Sequence, residues 1–466
     1  MLSTTQSFQS LLKEGYRHYQ GKEEVILRNI VAAQAISELV KTSYGPHGMN
    51  KMVINHIGKL QVTNDAATIL KEVEIQHPSA SLIAMSAETQ KQDFGDGTNF
   101  VVTLSGSLLQ QAQLLIKSGL HPNDIISGFR KASTESMRVL KGLVVHEVKD
   151  VREDAKMHSV LQTVLASKLP ETYKFFESMI YEGCLSVLDS KRQLEAEHFR
   201  VVKILGKTVQ QSILHHGYVL QKQPHGAVSG PFKNIKVACY KAPFDITSGN
   251  TKGTVHITSP EQLLRFSSSE EEKVEAIVKG ILEKGVKVVV VGGTVSDLFV
   301  HFFDKHGILV LKVLSKFELR RLAKCVRAVV IEKLGVPSEE ELGFCEFVEV
   351  KEIGSTRVTV FNVDNSQGNV VTIVLRGATK AIMENIEKTI QNALEVFRAT
   401  LRDGKFVYGG GSVESYLQNY LEQKGSQLTT LDQYSYQKFG TAFEIFGRML
   451  LENAGLVANN TLSDLL

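Results

Sequence analysis

Cysteine is scarce and scattered in this sequence: four in 466 residues, at Cys184, Cys239, Cys325 and Cys345, with no close pair. That spacing excludes a disulfide framework, and the lack of any Cys-x-x-Cys pair argues against a zinc site. Reduced thiols in a cytosolic compartment are the expectation. Charge of one sign is missing too. The 53 Lys and Arg against 50 Asp and Glu leave +3, too weak a field to favour nucleic acid or a membrane as partner. Long apolar runs are absent. Val288 to Val291 is strand length, far short of the ~20 residues that span a bilayer. Met1 to Lys13 carries Ser, Thr and Gln where a signal peptide needs a basic start and an apolar block, so no targeting segment is visible. There is no Pro-, Gly- or Ser-rich linker, no low-complexity tract and no internal repeat.

What is present is an ordinary globular composition, 43% hydrophobic and 22% charged. It excludes a disordered chain, a collagen-like repeat and a coiled-coil rod. At roughly 150 residues per domain, the length suggests about three domains. From Glu23 to about Leu140 the apolar residues recur at helical spacing, as in Ile26, Ile30, Ala33, Ser37 and Val40, then Ser79 to Gln92 and Thr98 to Ile116. From about Val201 to Asn369 short β-branched runs alternate with helices. Lys236 to Ala238, Lys287 to Val291, Ile308 to Val313 and Ala328 to Ile331 read as strands. Glu270 to Lys284, Val295 to His306 and Lys316 to Lys324 read as helices between them. This pattern predicts an α/β domain with a partly parallel sheet. Helical periodicity returns from Lys380 to Leu401 and from Gly411 to Gly455. Three beads on a string and one helical domain with an insertion fit equally well.

Three Gly-rich breaks fall in the helical blocks. They are Thr42 to Met52 around Gly45-Pro46-His47-Gly48, Gly95-Asp96-Gly97-Thr98-Asn99, and Gly409-Gly410-Gly411. Glycines allow positive φ and let successive N–H groups converge, and a helix N-terminus adds free donors suited to phosphate. Asp96 beside such a site could carry Mg²⁺, and Asp65 is a second carboxylate at a predicted helix start. Each alone is also an ordinary turn or N-cap. None matches the P-loop or the dinucleotide fingerprint, which removes support for ordinary kinases, GTPases and dehydrogenases. His215-His216 has no third ligand at metal spacing and reads as a strand end.

In combination and order, these segments resemble the group II chaperonins, the family of the eukaryotic cytosolic chaperonin and the archaeal thermosome. The similarity covers nearly the whole chain. It includes Gly45 to Met52, Thr63 to Leu70, Gly95 to Thr98, Gly119 to Pro122, Ile257 to Gln262, Thr372 to Gly377 and the triple glycine. Tyr44, Met49 to Met52, Ala66 and Asn99 point to one paralogous subunit class of the eukaryotic complex. The resemblance implies a multidomain α and α/β fold. Residues 1–141 and 403–466 would form a helical equatorial domain, 142–206 and 369–402 an intermediate domain, and 207–368 an apical α/β domain. A helical protrusion over about 243–271, with its tip near Thr247 to Gly253, would act as a lid.

The same resemblance implies ATP and Mg²⁺ as cofactors, paralogous subunits of a double ring as partners, and unfolded proteins as clients. By this analogy Tyr44, Gly45 and Pro46 line the nucleotide pocket and Asp96 holds Mg²⁺. Gly95, Gly97, Thr98 and Asn99 cradle phosphates, and Asp65 sits near the γ-phosphate. Ser167 and Lys168 sense nucleotide, while Gly410 and Gly411 approach base and ribose. On the helix from Lys316, residues Phe317, Arg320, Arg321 and Lys324 would contact clients, against the alternative of an inward Phe317 and a solvated basic face.

Three departures stand out. Asn392 occupies the place of the family's water-activating Asp, and an amide cannot accept a proton at neutral pH. The expectation is a subunit that binds ATP and hydrolyses it slowly, or a structural ring member without turnover. Tyr408 replaces the Pro that usually precedes the three glycines. The chain stops at Leu466, before the family's last acidic nucleotide contact, so a fragment and a reduced subunit are both expected possibilities.

Overall fold

The structure, a computed structural model, describes residues 21–55, 57–58, 60–152, 156–188, 194–195, 198–245, 260–363 and 370–465. The chain divides into two compact units, Met1–Tyr173 with Lys388–Leu466, and Lys174–Glu387.

Helix α1 (Lys22–Lys41) leads into a hairpin of β1 (Lys51–Ile54) and β2 (Leu60–Thr63), followed by α2 (Ala66–Glu72) and α3 (Pro78–Phe94). Next come α4 (Thr98–Lys117), α5 (Pro122–Leu140), β3 (His146–Glu147) and α6 (Lys156–Ala166). The chain passes to the second unit through α7 (Tyr173–Val187), then β4 (Phe199–Leu205), β5 (Ile213–His216), β6 (Tyr218–Leu220) and β7 (Phe232–Tyr240). Helix α8 (Pro260–Glu283), β8 (Val286–Val291), α9 (Asp297–Lys305), β9 (Leu309–Lys312), α10 (Lys316–Val326) and β10 (Val330–Ile331) alternate as the sequence pattern predicts. Strands β11 (Gly343–Ile353), β12 (Thr356–Asn362) and β13 (Val371–Gly377) follow, and α11 (Lys380–Arg402) returns the chain to the first unit. There β14 (Lys405–Phe406) precedes α12 (Ser412–Ser426), α13 (Asp432–Thr441), α14 (Glu444–Asn453) and α15 (Ala458–Leu465).

The second unit is built on a mixed sheet ordered β6-β12-β11-β7-β8-β9, with β10 beside β7. Strands β7, β8 and β9 are parallel, and β11, β12 and β6 antiparallel. Because side chains alternate along a strand, Val237, Cys239, Val288 and Val290 face one core with Leu319, Leu322 and Val326 of α10. Ala238, Tyr240, Val289 and Val291 face the other, with Val274, Val278 and Ile281 of α8 and Phe299 and Phe303 of α9. A parallel sheet covered on both faces needs continuous apolar strands, and the run Val288 to Val291 supplies one. A smaller sheet, β4-β13-β5, completes the unit.

All four cysteines are buried free thiols. Burial pushes the thiols of Cys239, Cys325 and Cys345 up to about 12, so they are neutral at physiological pH. Of the protrusion expected over about 243–271, residues 246–259, including the tip at Thr247 to Gly253, lie outside the described residues. From Pro260 onward that segment is α8, which starts ten residues before the predicted Glu270. His215 and His216 close β5, and no group of metal-ligating side chains forms there or elsewhere among the described residues.

In the first unit the two chain ends share cores. Ala33, Val40, Ala67, Ala87 and Val102 pack α1 to α4 together. Ala132 of α5 joins Leu417, Leu421, Phe439, Phe446 and Met449 from the far end of the chain. Small residues bring the helix backbones close. A Cβ on Gly106 of α4 would lie 2.3 Å from the Ser37 Cβ of α1. Strand β14 pairs with β3, so the returning chain is clamped where the first helical block ends.

Candidate functional site

The three Gly-rich breaks, far apart in sequence, converge on one cavity of about 740 Å³ in the first unit. Tyr44, Gly45 and Pro46 form one wall, Asp96, Gly97, Thr98 and Asn99 the floor, and Gly409 to Gly411 another wall. Asp65, Ser167 and Lys168 complete the set that the sequence singled out. Ser43, Asn64, Phe100, Thr163, Ala166, Glu414 and Leu450 also line it and were missed by the sequence reading. Asn64 and Glu414 had a signal, since each adjoins or closely follows a recognised motif. Leu450, from a helix with no chemical motif, had none.

Gly95 and Asn392 are not among the lining residues. Gly95 caps α3 at φ 77°, and a Cβ there would lie 2.5 Å from the Asn392 carbonyl oxygen and 2.7 Å from the Glu395 Cβ. It lets the Asp96 turn press against the backbone of α11. Gly97, at φ 80°, then opens α4. Val101 donates back to the Gly97 carbonyl at 3.1 Å. The N–H groups of Thr98, Asn99 and Phe100 therefore have no intrahelical partner, and this donor cluster at the positive end of a helix faces the cavity.

The side chains of that turn are committed to the protein. Asn99 donates to the carbonyls of Ser43 (3.0 Å) and Asn64 (3.2 Å) and accepts from the Ala66 N–H (2.8 Å). It thus stitches three segments, and any contact it makes with an anion falls to its backbone. Asn453 of α14 donates to the Tyr44 (2.8 Å) and Lys41 (3.2 Å) carbonyls, tying the far end of the chain to the first loop. Asn64 donates to the Ser167 carbonyl at 2.8 Å, which fixes the Ser167–Lys168 turn.

The charges are unequal in kind. Asp65 caps α2 and is buried. It accepts from Thr98 Oγ1 (2.7 Å), Thr68 Oγ1 (2.6 Å), the Thr68 N–H (3.3 Å) and Lys91 Nζ (2.5 Å). Burial alone would raise its pKa. The charges of Lys91 and Lys168, with the Lys91 and Thr68 hydrogen bonds, outweigh that and hold the carboxyl well below the usual range. A group so held is a poor general base. Asp96 is more open, with 44% of its side chain exposed, and meets Lys168 Nζ at 3.3 Å. Lys168 also donates to the Asn392 side-chain oxygen at 2.8 Å once that amide is oriented to satisfy both of its ends, its NH₂ then reaching the Lys388 carbonyl at 3.2 Å. Burial, then the charges of Glu414 and Asp96, keep the Tyr44 phenol protonated far above its ordinary range, and burial raises Glu414.

The arrangement fits a nucleotide and its metal. The volume lies within the about 300–1,000 Å³ typical of ligand pockets. Its lining supplies helix N–H donors and Lys168 together with the apolar Leu450 and Phe100. The buried Ser43 hydroxyl on the wall has no hydrogen-bond partner among the described residues. Asp96 is the more exposed carboxylate beside the donors, the setting in which Mg²⁺ is held with phosphate oxygens and water.

A profile of the TCP-1/cpn60 chaperonin family matches residues 36–466. The chain belongs to the TCP-1/cpn60 chaperonin family. It is 41% identical over 458 residues to T-complex protein 1 subunit theta of Macaca fascicularis, covering 98% of this chain and 83% of that protein. It is 40% identical over 458 residues to the theta subunit of Homo sapiens, with the same coverage. To that of Dictyostelium discoideum it is 38% identical over 456 residues, covering 98% of this chain and 85% of the relative. The subunit class to which Tyr44, Ala66 and Asn99 point agrees with these similarities.

The residues that the resemblance implies for client contact fall on α10 of the second unit. Its inner face is Leu319, Leu322, Ala323, Cys325 and Val326. Phe317 is 72% exposed and Leu314, just before the helix, 66% exposed. The alternative of an inward Phe317 is therefore excluded. Arg320 and Lys324 are exposed beside it and Arg321 is half-buried.

Proposed function

We propose that this chaperonin chain works as a theta-type subunit of a hetero-oligomeric double ring that binds ATP with Mg²⁺ and encloses non-native proteins in the cytosol. The observation that carries the ATP reading is the convergence of Tyr44-Gly45-Pro46, Asp96-Gly97-Thr98 and Gly409-Gly410-Gly411 on one cavity at the start of α4. In this reading residues 1–141 and 403–466 are the equatorial domain, 142–206 and 369–402 the intermediate domain, and 207–368 the apical domain. ATP binding and hydrolysis would supply the free-energy difference between open and closed rings. The chain's own part is to hold phosphates on the α4 N–H groups and Lys168, to hold the metal through Asp96, and to face base and ribose with Gly410 and Gly411. Exposed Phe317 and Leu314, flanked by Arg320 and Lys324, would take apolar client segments with acidic neighbours.

The similarity to chaperonin subunits does not favour the reading of a purely structural ring member without turnover. By the resemblance Asn392 stands where the family has its proton-accepting Asp, and its side-chain oxygen accepts from Lys168.

Limited proteolysis of the full chain tests the nucleotide reading. Cleavage is expected to slow several-fold when Mg·ATP is added, and to be insensitive to it in Asp96→Ala. Equal cleavage with and without Mg·ATP in the unsubstituted chain would count decisively against the site.

A further inference from the structure

Lys91 was not singled out by the sequence, and the proposed function does not use it. It lies near the end of α3, 26 residues along the chain from Asp65. Its ammonium donates to Asp65 Oδ2 at 2.5 Å and to Thr68 Oγ1 at 2.8 Å. The Lys91 side chain is 25% exposed and that of Asp65 6%. A carboxylate offers about two acceptor directions per oxygen. Oδ2 receives the Thr68 N–H, the Thr68 hydroxyl and Lys91, and is therefore full. Oδ1 receives the Thr98 hydroxyl and keeps one direction. The cations acting on Asp65 are Lys91 from α3 and Lys168 from the turn after α6, and Lys168 is shared with Asp96 and Asn392.

We propose that Lys91 is a positioning residue of the cavity, an internal counter-ion that fixes both the rotamer and the charge of Asp65 so that Oδ1 alone faces the ligand. The inference rests on the nucleotide reading of the cavity. With Lys91 in place, Asp65 is a neutralised, aimed acceptor next to the phosphate donors. Without it, Asp65 is a buried carboxylate with only a shared cation. It then repels phosphate when ionised and takes up a proton far more easily.

The test is calorimetric titration of the full chain with Mg·ATP, comparing Lys91→Met, Lys91→Arg, Asp65→Asn and the double variant Asp65→Asn/Lys91→Met. Lys91→Met is expected to weaken binding by about 10-fold near about pH 8, where Asp65 stays ionised, and by less at lower pH, where the unpaired carboxyl takes up a proton more easily. Lys91→Arg should stay within about 3-fold of the unsubstituted chain, because its guanidinium keeps the charge. In the Asp65→Asn background the Lys91→Met change should matter by less than about 2-fold, since the group it positions has lost its charge. That comparison also covers the case in which Lys91→Met alone folds poorly. A loss that does not shrink as the pH is lowered, an equal loss in the Asp65→Asn background, or no loss at all would overturn the proposal. Failure of the unsubstituted chain to bind Mg·ATP would instead overturn the nucleotide reading beneath it.

Discussion

Replacing Asp65 with alanine is expected to lower the unfolding free energy of the chain by about 3 kcal/mol near neutral pH. The carboxylate is buried and serves four donors, so its loss strands the Thr98 and Thr68 groups and leaves Lys91 with a single hydroxyl. The figure is kept at the low end for a buried pair because Lys91 is partly exposed. Burial raises the folded carboxyl and the two lysines more than reverse this, placing it below the ordinary value of about 4. The stability it contributes is therefore complete above about pH 5 and lost as pH falls through the folded value. Urea midpoints of the two chains should differ clearly at neutral pH and converge on acidification. Equal midpoints at neutral pH would refute the pairing.

Gly95→Ala is expected to cost a similar amount, about 3 kcal/mol. A left-handed non-glycine residue costs ~1–2 kcal/mol, and forcing a methyl into packed backbone another ~1–3. Both apply here, with φ at 77° and the Asn392 carbonyl 2.5 Å from the new carbon. The displaced turn carries Asp96, so Mg·ATP binding should weaken along with the melting temperature. Gly142→Ala is the control: nothing lies within 4 Å of a Cβ there, its φ is not positive and it does not line the cavity. It should leave both readouts within about 0.5 kcal/mol of the unsubstituted chain. Equal effects from the two substitutions would contradict the account of the Gly95 turn.

The sequence discloses what is local and periodic. Helices α3, α4 and α10 begin within a residue of the expected positions, because the spacing of apolar residues and the Gly-Asp-Gly break define them. Strand β7 was read as Lys236 to Ala238 but runs from Phe232 to Tyr240. Its first half is largely exposed and lacks the buried run that marks the rest. Within the site, the glycines and Asp96 were legible because each breaks a helix with a recognisable turn. Lys91 was not, since a lysine on an exposed-looking helix carries no mark of the carboxylate that folding brings to it. Asn453 is similar: it reaches Tyr44 across 409 residues, and periodicity holds no information about such pairings. Leucine at 450 joins the cavity wall for the same reason. Gly95 illustrates a different limit, for the motif flagged it as a ligand contact while its geometry assigns it to packing against α11.

The most direct test of the central claim is native-size fractionation of the endogenous protein, with mass spectrometry of what travels with it. The account predicts one very large particle in which this chain co-migrates with paralogous chaperonin subunits. Migration as a monomer or a small species free of such subunits would contradict it.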